Sequence, residues 1–129
     1  MRKFGVFTAT TFIAILLSGL YGILHDQVTY SISPEYFTKF KYQQFGFETA
    51  AFGGHRQTVA VIGFLASWWM GIFIGILLGL TGLIFSNYKI MRKAIMNGIK
   101  VTLITAIFFA IFGFLWGKYY FRESKRQRI

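Results

Sequence analysis

The sequence predicts an all-α membrane protein with three transmembrane helices and a small extracytoplasmic cap. Of the 129 residues, 55% are hydrophobic and 20% aromatic, whereas only 14% are charged. This composition is too apolar for an ordinary soluble domain of this length. The charges also occur in short blocks between long apolar runs, as the flanking charges of membrane helices do.

Two counts exclude whole classes of function. The chain has no cysteine, which excludes disulfides, thiolate nucleophiles and zinc–thiolate sites. Fourteen Lys and Arg stand against four Asp and Glu, a balance that in a soluble chain would indicate nucleic acid. Because these charges flank apolar runs, we predict contact with the lipid bilayer and no nucleic-acid partner.

The first predicted transmembrane helix covers residues 4–24, which carry no formal charge. At about 1.5 Å per residue this stretch crosses a hydrocarbon core of about 30 Å. A basic start before an apolar run is also typical of a cleaved signal peptide. The run is longer than a signal core and lacks a small-x-small pair in good context, so an uncleaved helix is the preferred interpretation.

Residues 25–56 are polar enough to leave the bilayer and are predicted to form an ordered cap. Its first part has Val28, Tyr30 and Ile32 alternating with Thr and Ser. A period of two between apolar residues is typical of a half-buried strand. The sequence therefore predicts a short strand at this point.

A short amphipathic helix is predicted to follow, from residue 34 to about 45. Ser33 is the expected N-cap, Pro34 suits the first helical position and Glu35 favours the first turn. At about 100° per residue, aromatic side chains gather on one side of this helix. Such a side suits packing on a membrane surface or on other helices. We expect four of them to contact a partner or the outer leaflet: Tyr36, Phe37, Phe40 and Phe45.

The second predicted helix covers residues 57–86 and is too long for a single perpendicular crossing. Trp68 and Trp69 favour the headgroup region, so the crossing is placed at about 66–85 and the preceding turns are expected to pack on the cap. A steeply tilted helix is the alternative.

Residues 87–97 are predicted to form a short basic turn before the third crossing. That crossing is placed at 98–117, a stretch that is again mostly apolar. Residues 118–129 form a basic tail, which could bind anionic lipid.

The orientation rests on two signals that disagree. Arg2 and Lys3 precede the first helix and favour a cytoplasmic N-terminus. With that orientation six Lys and Arg lie inside and eight outside, so the plain count favours the opposite sense. The same orientation gathers aromatic residues into a belt at the outer interface: Tyr21, Trp68, Trp69, Trp116, Tyr119 and Tyr120.

The most specific pattern is a ladder of small residues at every fourth position of the second helix. These residues share one helix face, on which another helix can approach to backbone contact. The pattern predicts tight packing within one subunit or between copies. The ladder, with two similar positions in the third helix, comprises Gly63, Ser67, Gly71, Gly75, Gly79, Ala106 and Ala110.

Candidate chemistry is confined to the cap, because the three predicted crossings contain no Asp, Glu or His. This argues against a proton relay or an intramembrane protease. In the cap, imidazole and carboxylate groups occur that could bind a metal or act as a base: His25, Asp26, Glu35 and His55. Their spacing matches no metal motif, so hydrogen bonding at helix ends is the preferred role and no metal or cofactor is predicted.

We therefore predict a non-enzymatic membrane protein, acting as an accessory subunit or assembly factor. Its expected partners are other membrane subunits or copies of itself. The alternative is a small oligomeric channel or carrier for a neutral solute. An enzyme or metal-binding protein that uses the cap residues is third.

Two segments carry a resemblance to a known group: HDQVTYSISPEYFTKFKYQQFGF at 25–47 and VAVIGFLASWWMGIFIGILLG at 59–79. The chain resembles a family of uncharacterised small bacterial integral membrane proteins with a similar cap before a Gly-rich helix. The resemblance covers roughly residues 20–85. It implies an inner-membrane location and a cytoplasmic N-terminus, and it brings no activity or functional residues. Members of the group often continue into a fourth helix, whereas here a basic tail follows the third.

Overall fold

The computed structural model describes residues 1–48 and 51–128. Three long helices dominate it: α1 (Arg2–Ile32), α4 (His55–Gly82) and α5 (Tyr88–Gln127). Each is long and apolar enough to span a membrane. The chain is thus an all-α, multi-pass membrane protein, as the sequence predicts.

Three short helical pieces follow one another between α1 and α4. They are α2 (Pro34–Tyr36), a π-helical turn (Phe37–Lys41) and α3 (Tyr42–Phe45). Together they form the predicted short helix. Its first residue is a proline at the N-terminal position, as expected, although no side chain caps that end.

The predicted strand at Val28, Tyr30 and Ile32 is wrong, because α1 continues through it to Ile32. No strand occurs in residues 1–48 or 51–128. Polar side chains here bond the preceding helical turn: the Thr29 hydroxyl donates to the carbonyl of His25, and Ser31 donates to Gln27, each at 3.0 Å. An isolated strand would have left its backbone groups unpaired, whereas the helix satisfies them internally.

The third long helix extends well beyond the predicted crossing at 98–117. The basic segment predicted as a turn is helical from Tyr88, and the basic tail is helical to Gln127. Asn87 caps the start of α5, since its side-chain oxygen accepts a hydrogen bond from the backbone nitrogen of Lys89 at 2.8 Å. Lys, Arg, Met and Ala favour helix, and no proline interrupts residues 88–97. The actual connection is the short segment 83–87.

The long helices form a tight pair and a loosely attached third member. Gly22 of α1 meets Gly63 of α4, and Phe7 meets Gly79, so α1 and α4 run antiparallel. The third helix, α5, runs parallel to α1. It covers about 60 Å, from its 40 residues at about 1.5 Å each.

Candidate functional site

The glycine ladder of α4 packs against α1 of the same chain. A Cβ placed on Gly63 would lie 2.5 Å from the carbonyl oxygen of Gly22. One placed on Gly75 would lie 2.6 Å from the Cα of Thr11. Both contacts are with backbone, which no side-chain rotation can relieve. The ladder therefore serves packing within one subunit, one of the two uses that its spacing allows.

The contact surface between α1 and α4, which we call the seam, continues towards both ends of the helix pair. Gly71 packs on the backbone of Ala14 and Ile15, and Gly79 packs on the ring of Phe7. The buried residues of α1 are all small: Thr10, Ala14, Gly19 and Gly22. Two small faces thus meet, and the backbones approach as in small-residue membrane helix pairs.

One hydrogen bond crosses the seam near its middle. The Ser18 hydroxyl donates to the carbonyl oxygen of Ser67 at 2.7 Å. Ser67 is the single non-glycine position of the ladder. A small hydroxyl on α1 therefore occupies the space opposite it and fixes the register of the two helices.

The third helix is attached to this pair by the first part of its length. Met91, Ile95 and Ile99 are buried and lie four residues apart, on one face of α5. Side chains of both other helices pack against them, including Phe7 and Leu78. Farther along, the Tyr21 hydroxyl donates a long hydrogen bond of 3.4 Å to the carbonyl of Ala106.

Beyond Ala106 no side chain of α5 is buried among the described residues. We call residues 107–121 the free half of α5. A Cβ on Gly113 or on Gly117 would meet no atom within 4 Å. Together with Ala110 these glycines form a small-residue face, since they lie about one helical turn apart. Unlike the ladder of α4, this face has no helix of the described chain on it.

Large apolar side chains surround that open face. Phe108, Phe109 and Trp116 are each more than 60% exposed. The other exposed large residues of the free half are Ile107, Ile111, Phe112, Phe114, Leu115, Tyr119, Tyr120 and Phe121. Apart from Lys118, the free half is therefore an apolar surface for lipid or for another helix.

The aromatic residues predicted to form one belt are not brought together. Ser18 contacts Ser67, so Trp68 and Trp69 lie level with the middle of α1. Trp116, in contrast, lies ten residues beyond Ala106, about 15 Å farther along α5. Tyr21 is half-buried and stacks on His25, whereas Tyr119 is exposed near the end of α5.

The cap is held by a compact aromatic cluster. Phe37 and Tyr42 pack with Val59 and Ile62, and all four side chains are buried. The partly buried rings of Tyr30, Phe45 and Phe47 pack around them. The first turns of α4 thus contact the cap, as the sequence predicts. Phe37, predicted as a surface contact, instead forms the centre of the cap core.

The remaining predicted contact residues lie mostly on the surface. Tyr36 and Phe40 are 43% and 55% exposed, and their rings lie 5.7 Å apart. Lys41 extends over the ring of Tyr36 at 5.7 Å and over that of Phe45 at 5.9 Å. The π turn causes this division, because its extra residue per turn rotates Phe37 inward and leaves Phe40 outside.

His55 joins the cap to the start of α4. The rings of Tyr30 and Tyr42 both stack on its imidazole, at 5.9 and 6.0 Å. The Tyr42 hydroxyl lies 3.0 Å from Nδ1 of His55. Burial, with the neighbouring Tyr30 adding to it, raises the pKa of Tyr42. The phenol therefore stays protonated at neutral pH, within hydrogen-bond distance of the imidazole.

A second connection, which the sequence analysis missed, joins the end of α1 to α4. The Arg56 guanidinium donates to the backbone oxygen and to the Oε1 of Gln27, at 3.0 and 3.1 Å. Gln27 in turn donates from Nε2 to the carbonyl of Arg56 at 2.8 Å. Arg56 also lies over the ring of Tyr30 at 4.8 Å. Residues 27 and 56 are far apart in sequence, so no local pattern indicates this pair.

The speculative metal ligands are not assembled into a site. His25 Nδ1 lies 3.3 Å from the carboxylate of Asp26, while Glu35 pairs with Lys39 at 3.8 Å. His55 bonds Tyr42 instead. Within the described ranges no three His, Asp or Glu residues lie close enough together to hold a metal ion.

No protein-family model matches the chain, and comparisons with curated proteins and with solved structures find no match either. The resemblance drawn from the cap motif thus stays a prediction.

Proposed function

We propose that this protein is a non-enzymatic accessory subunit or assembly factor of the bacterial inner membrane. It would bind another membrane protein through the free half of α5. The observation that carries this proposal is the contrast between two small-residue faces: that of α4 is covered by α1, and that of α5 is open.

A small-residue face allows close approach of a second helix, which is the main source of association between helices in lipid. In α4 this approach buries the four glycines of the ladder against α1. Gly113 and Gly117 offer the same opportunity, and the exposed rings of Phe109 and Phe114 flank them on either side. Aromatic side chains contribute large contact areas to such interfaces.

The proposal places the N-terminus in the cytoplasm and the cap outside it. Arg2 and Lys3 support that orientation through the preference of basic residues for the cytoplasmic side. The exposed rings of Tyr36 and Phe40 would then provide a second contact, outside the bilayer, to the same partner or to the outer leaflet.

Purification in mild detergent from native membranes tests the proposal. Native mass spectrometry would identify what accompanies the protein and give the mass of the particle. We expect a complex with another membrane protein. We expect the double variant Gly113→Ile, Gly117→Ile to lose the partner, because the added side chains prevent close approach.

The matched control changes the opposite side of the same helix segment. Phe108 and Leu115 lie there, so the double variant Phe108→Ile, Leu115→Ile should retain the partner. If the wild-type protein is monomeric with nothing bound, or if both double variants behave alike, the proposal is wrong.

A second candidate is a small carrier or oligomeric channel for a neutral solute. It is favoured by a cavity of about 260 Å³ between α1, α4 and α5, whose walls are apolar except for hydroxyls such as Ser18, Ser67 and Thr102. The glycines of the ladder do not line this cavity, since α1 covers them. Solute flux into liposomes, together with a homo-oligomeric native mass, would support this candidate over the first.

A further inference from the structure

A groove with a basic mouth and apolar walls lies between the first halves of α1 and α5. Its volume is about 470 Å³. Arg2 and Arg92 stand at one end, together with the ring of Tyr88, and the walls beyond them include Ala9, Ile13 and Met96. Small residues of α1 make the space: a Cβ on Gly5 would meet no atom within 4 Å.

The positive charges at the mouth are not neutralised by the described chain. The guanidinium of Arg2 lies over the ring of Tyr88 at 5.2 Å, a contact that orients the group without changing its charge. Arg92 is exposed and forms no ion pair in residues 1–48 and 51–128. Lys3, Lys89 and Lys93 lie nearby in sequence.

The acidic residues lie far from this end of the helices. Asp26 is 24 residues from Arg2 along α1, about 36 Å. Glu123 is 31 residues from Arg92 along α5, about 46 Å. The remaining two, Glu35 and Glu48, belong to the connection between α1 and α4. No acidic side chain of the described residues therefore lies close to the two arginines at the mouth.

We propose that this groove binds an anionic phospholipid, with its phosphate at Arg2 and Arg92 and an acyl chain along Ala9, Ile13 and Met96. Guanidinium groups suit phosphate oxygens because they donate paired hydrogen bonds. The apolar walls select a lipid over free phosphate, which would leave the groove unfilled. Basic pockets between transmembrane helices are known to hold anionic headgroups.

The bound lipid would also brace the loosely held third helix. Within the protein, α5 is attached mainly through Met91, Ile95 and Ile99. A lipid in the groove contacts α1 and α5 at the same time. It thus adds contact area on the side of α5 that faces Ala9 and Ile13.

Native mass spectrometry of the detergent-purified full chain tests this inference. The probes are phosphatidylglycerol, phosphatidylcholine and inorganic phosphate, each added in turn. We expect retention of phosphatidylglycerol over phosphatidylcholine. Replacing both arginines, Arg2→Gln with Arg92→Gln, should weaken retention about 30-fold, since each basic residue near an anionic lipid contributes about 1 kcal/mol.

Two further variants separate the proposed site from general charge attraction. Arg122→Gln with Arg126→Gln removes the same charge from the end of α5 and should retain the lipid. Ala9→Phe fills the groove at an exposed position, keeps both arginines, and should also release the lipid. Circular dichroism of each variant confirms that the helices are intact.

Several results would overturn the proposal. Equal retention of phosphatidylcholine would show that charge does not select the ligand. Equal loss in the Arg122/Arg126 control would assign the effect to net charge. Competition by inorganic phosphate together with unchanged binding by Ala9→Phe would show a headgroup-only site with no lipid in the groove.

Discussion

Gly22 and Gly63 face each other across α1 and α4 so closely that a Cβ on Gly63 would lie 2.5 Å from the carbonyl oxygen of Gly22. The hydrogen on the Cα of Gly63 occupies that direction and points at the oxygen. Such Cα–H···O contacts recur where membrane helices approach closely. This contact lies at the end of the α1–α4 pair that is nearest the cap.

Substituting Gly63 by Ala should therefore destabilise the helix pair. The added methyl group meets backbone, so α1 and α4 must separate, and overpacking of this kind costs about 1–3 kcal/mol. Gly113→Ala is the matched control. It meets no atom within 4 Å and should be neutral or stabilising by up to about 1 kcal/mol through helix propensity. Denaturant unfolding in detergent measures the stability of both variants. Equal effects would contradict the close contact between Gly63 and α1.

Replacing Ser18 by Ala should remove the hydrogen bond across the seam. Interhelical bonds of this kind contribute about 0.6 kcal/mol on average in membrane proteins. Thr8→Ala is the control, because the Thr8 hydroxyl bonds the carbonyl of Phe4 in its own helix. The same unfolding assay should show a loss for Ser18→Ala only. No difference between the two would mean that the Ser18–Ser67 bond does not fix the register.

Phe37 and Phe40 are three residues apart and should respond very differently to truncation. Phe37 is fully buried, so Phe37→Ala should cost about 3–5 kcal/mol. Phe40 is 55% exposed, and Phe40→Ala should leave stability nearly unchanged while weakening any contact made by the cap surface. Thermal unfolding monitored by aromatic circular dichroism reports on the cap. Equal loss in both variants would place Phe40 in the core.

The cap should lose stability in alkaline solution through Tyr42. Burial raises the pKa of this phenol above its ordinary value of 10.0. A group whose pKa is higher in the folded than in the unfolded state stabilises the fold fully at a pH below its unfolded-state pKa. That contribution is lost as the pH rises through its folded-state pKa. Tyr42→Phe removes the hydrogen bond to His55, which should lower the free energy of unfolding by about 1 kcal/mol near neutral pH.

The measurement for Tyr42 compares unfolding at pH 8 and pH 11. The wild-type protein should lose more stability between these two values than Tyr42→Phe does. Tyr36→Phe changes an exposed tyrosine and should behave as the wild type. A wild-type pH dependence identical to that of Tyr42→Phe would rule out a proton-dependent contribution from this residue.

The sequence predicts which helices form better than it predicts how they pack together. Three apolar stretches are enough to predict three long helices, because the length of an apolar stretch decides whether it can cross a membrane as a helix. The ladder from Gly63 to Gly79 identified the packing face of α4. It did not identify α1 as the occupant, since the same spacing serves contacts within a subunit and between subunits.

Each wrong prediction has its own physical cause. Alternation at Val28, Tyr30 and Ile32 indicated a strand, yet the described part of the chain offers no second strand to pair with it, and the helix continues instead. The basic residues around Arg92 indicated a turn, although charge alone does not break a helix. The inward rotation of Phe37 depends on a π turn, for which the sequence pattern carried no signal. The second half of α5 is free because its contacts with the other two helices end near Ala106. No local sequence pattern encodes where such contacts end.

Site-specific photo-crosslinking in native membranes tests most directly the central claim that the free half of α5 binds another membrane protein. A photoreactive phenylalanine would replace Phe109, beside the open small-residue face, or Phe73 on the outer side of α4; both are about 60% exposed. We predict a discrete protein adduct from position 109 and only lipid adducts from position 73. Lipid adducts alone from both positions would contradict the claim.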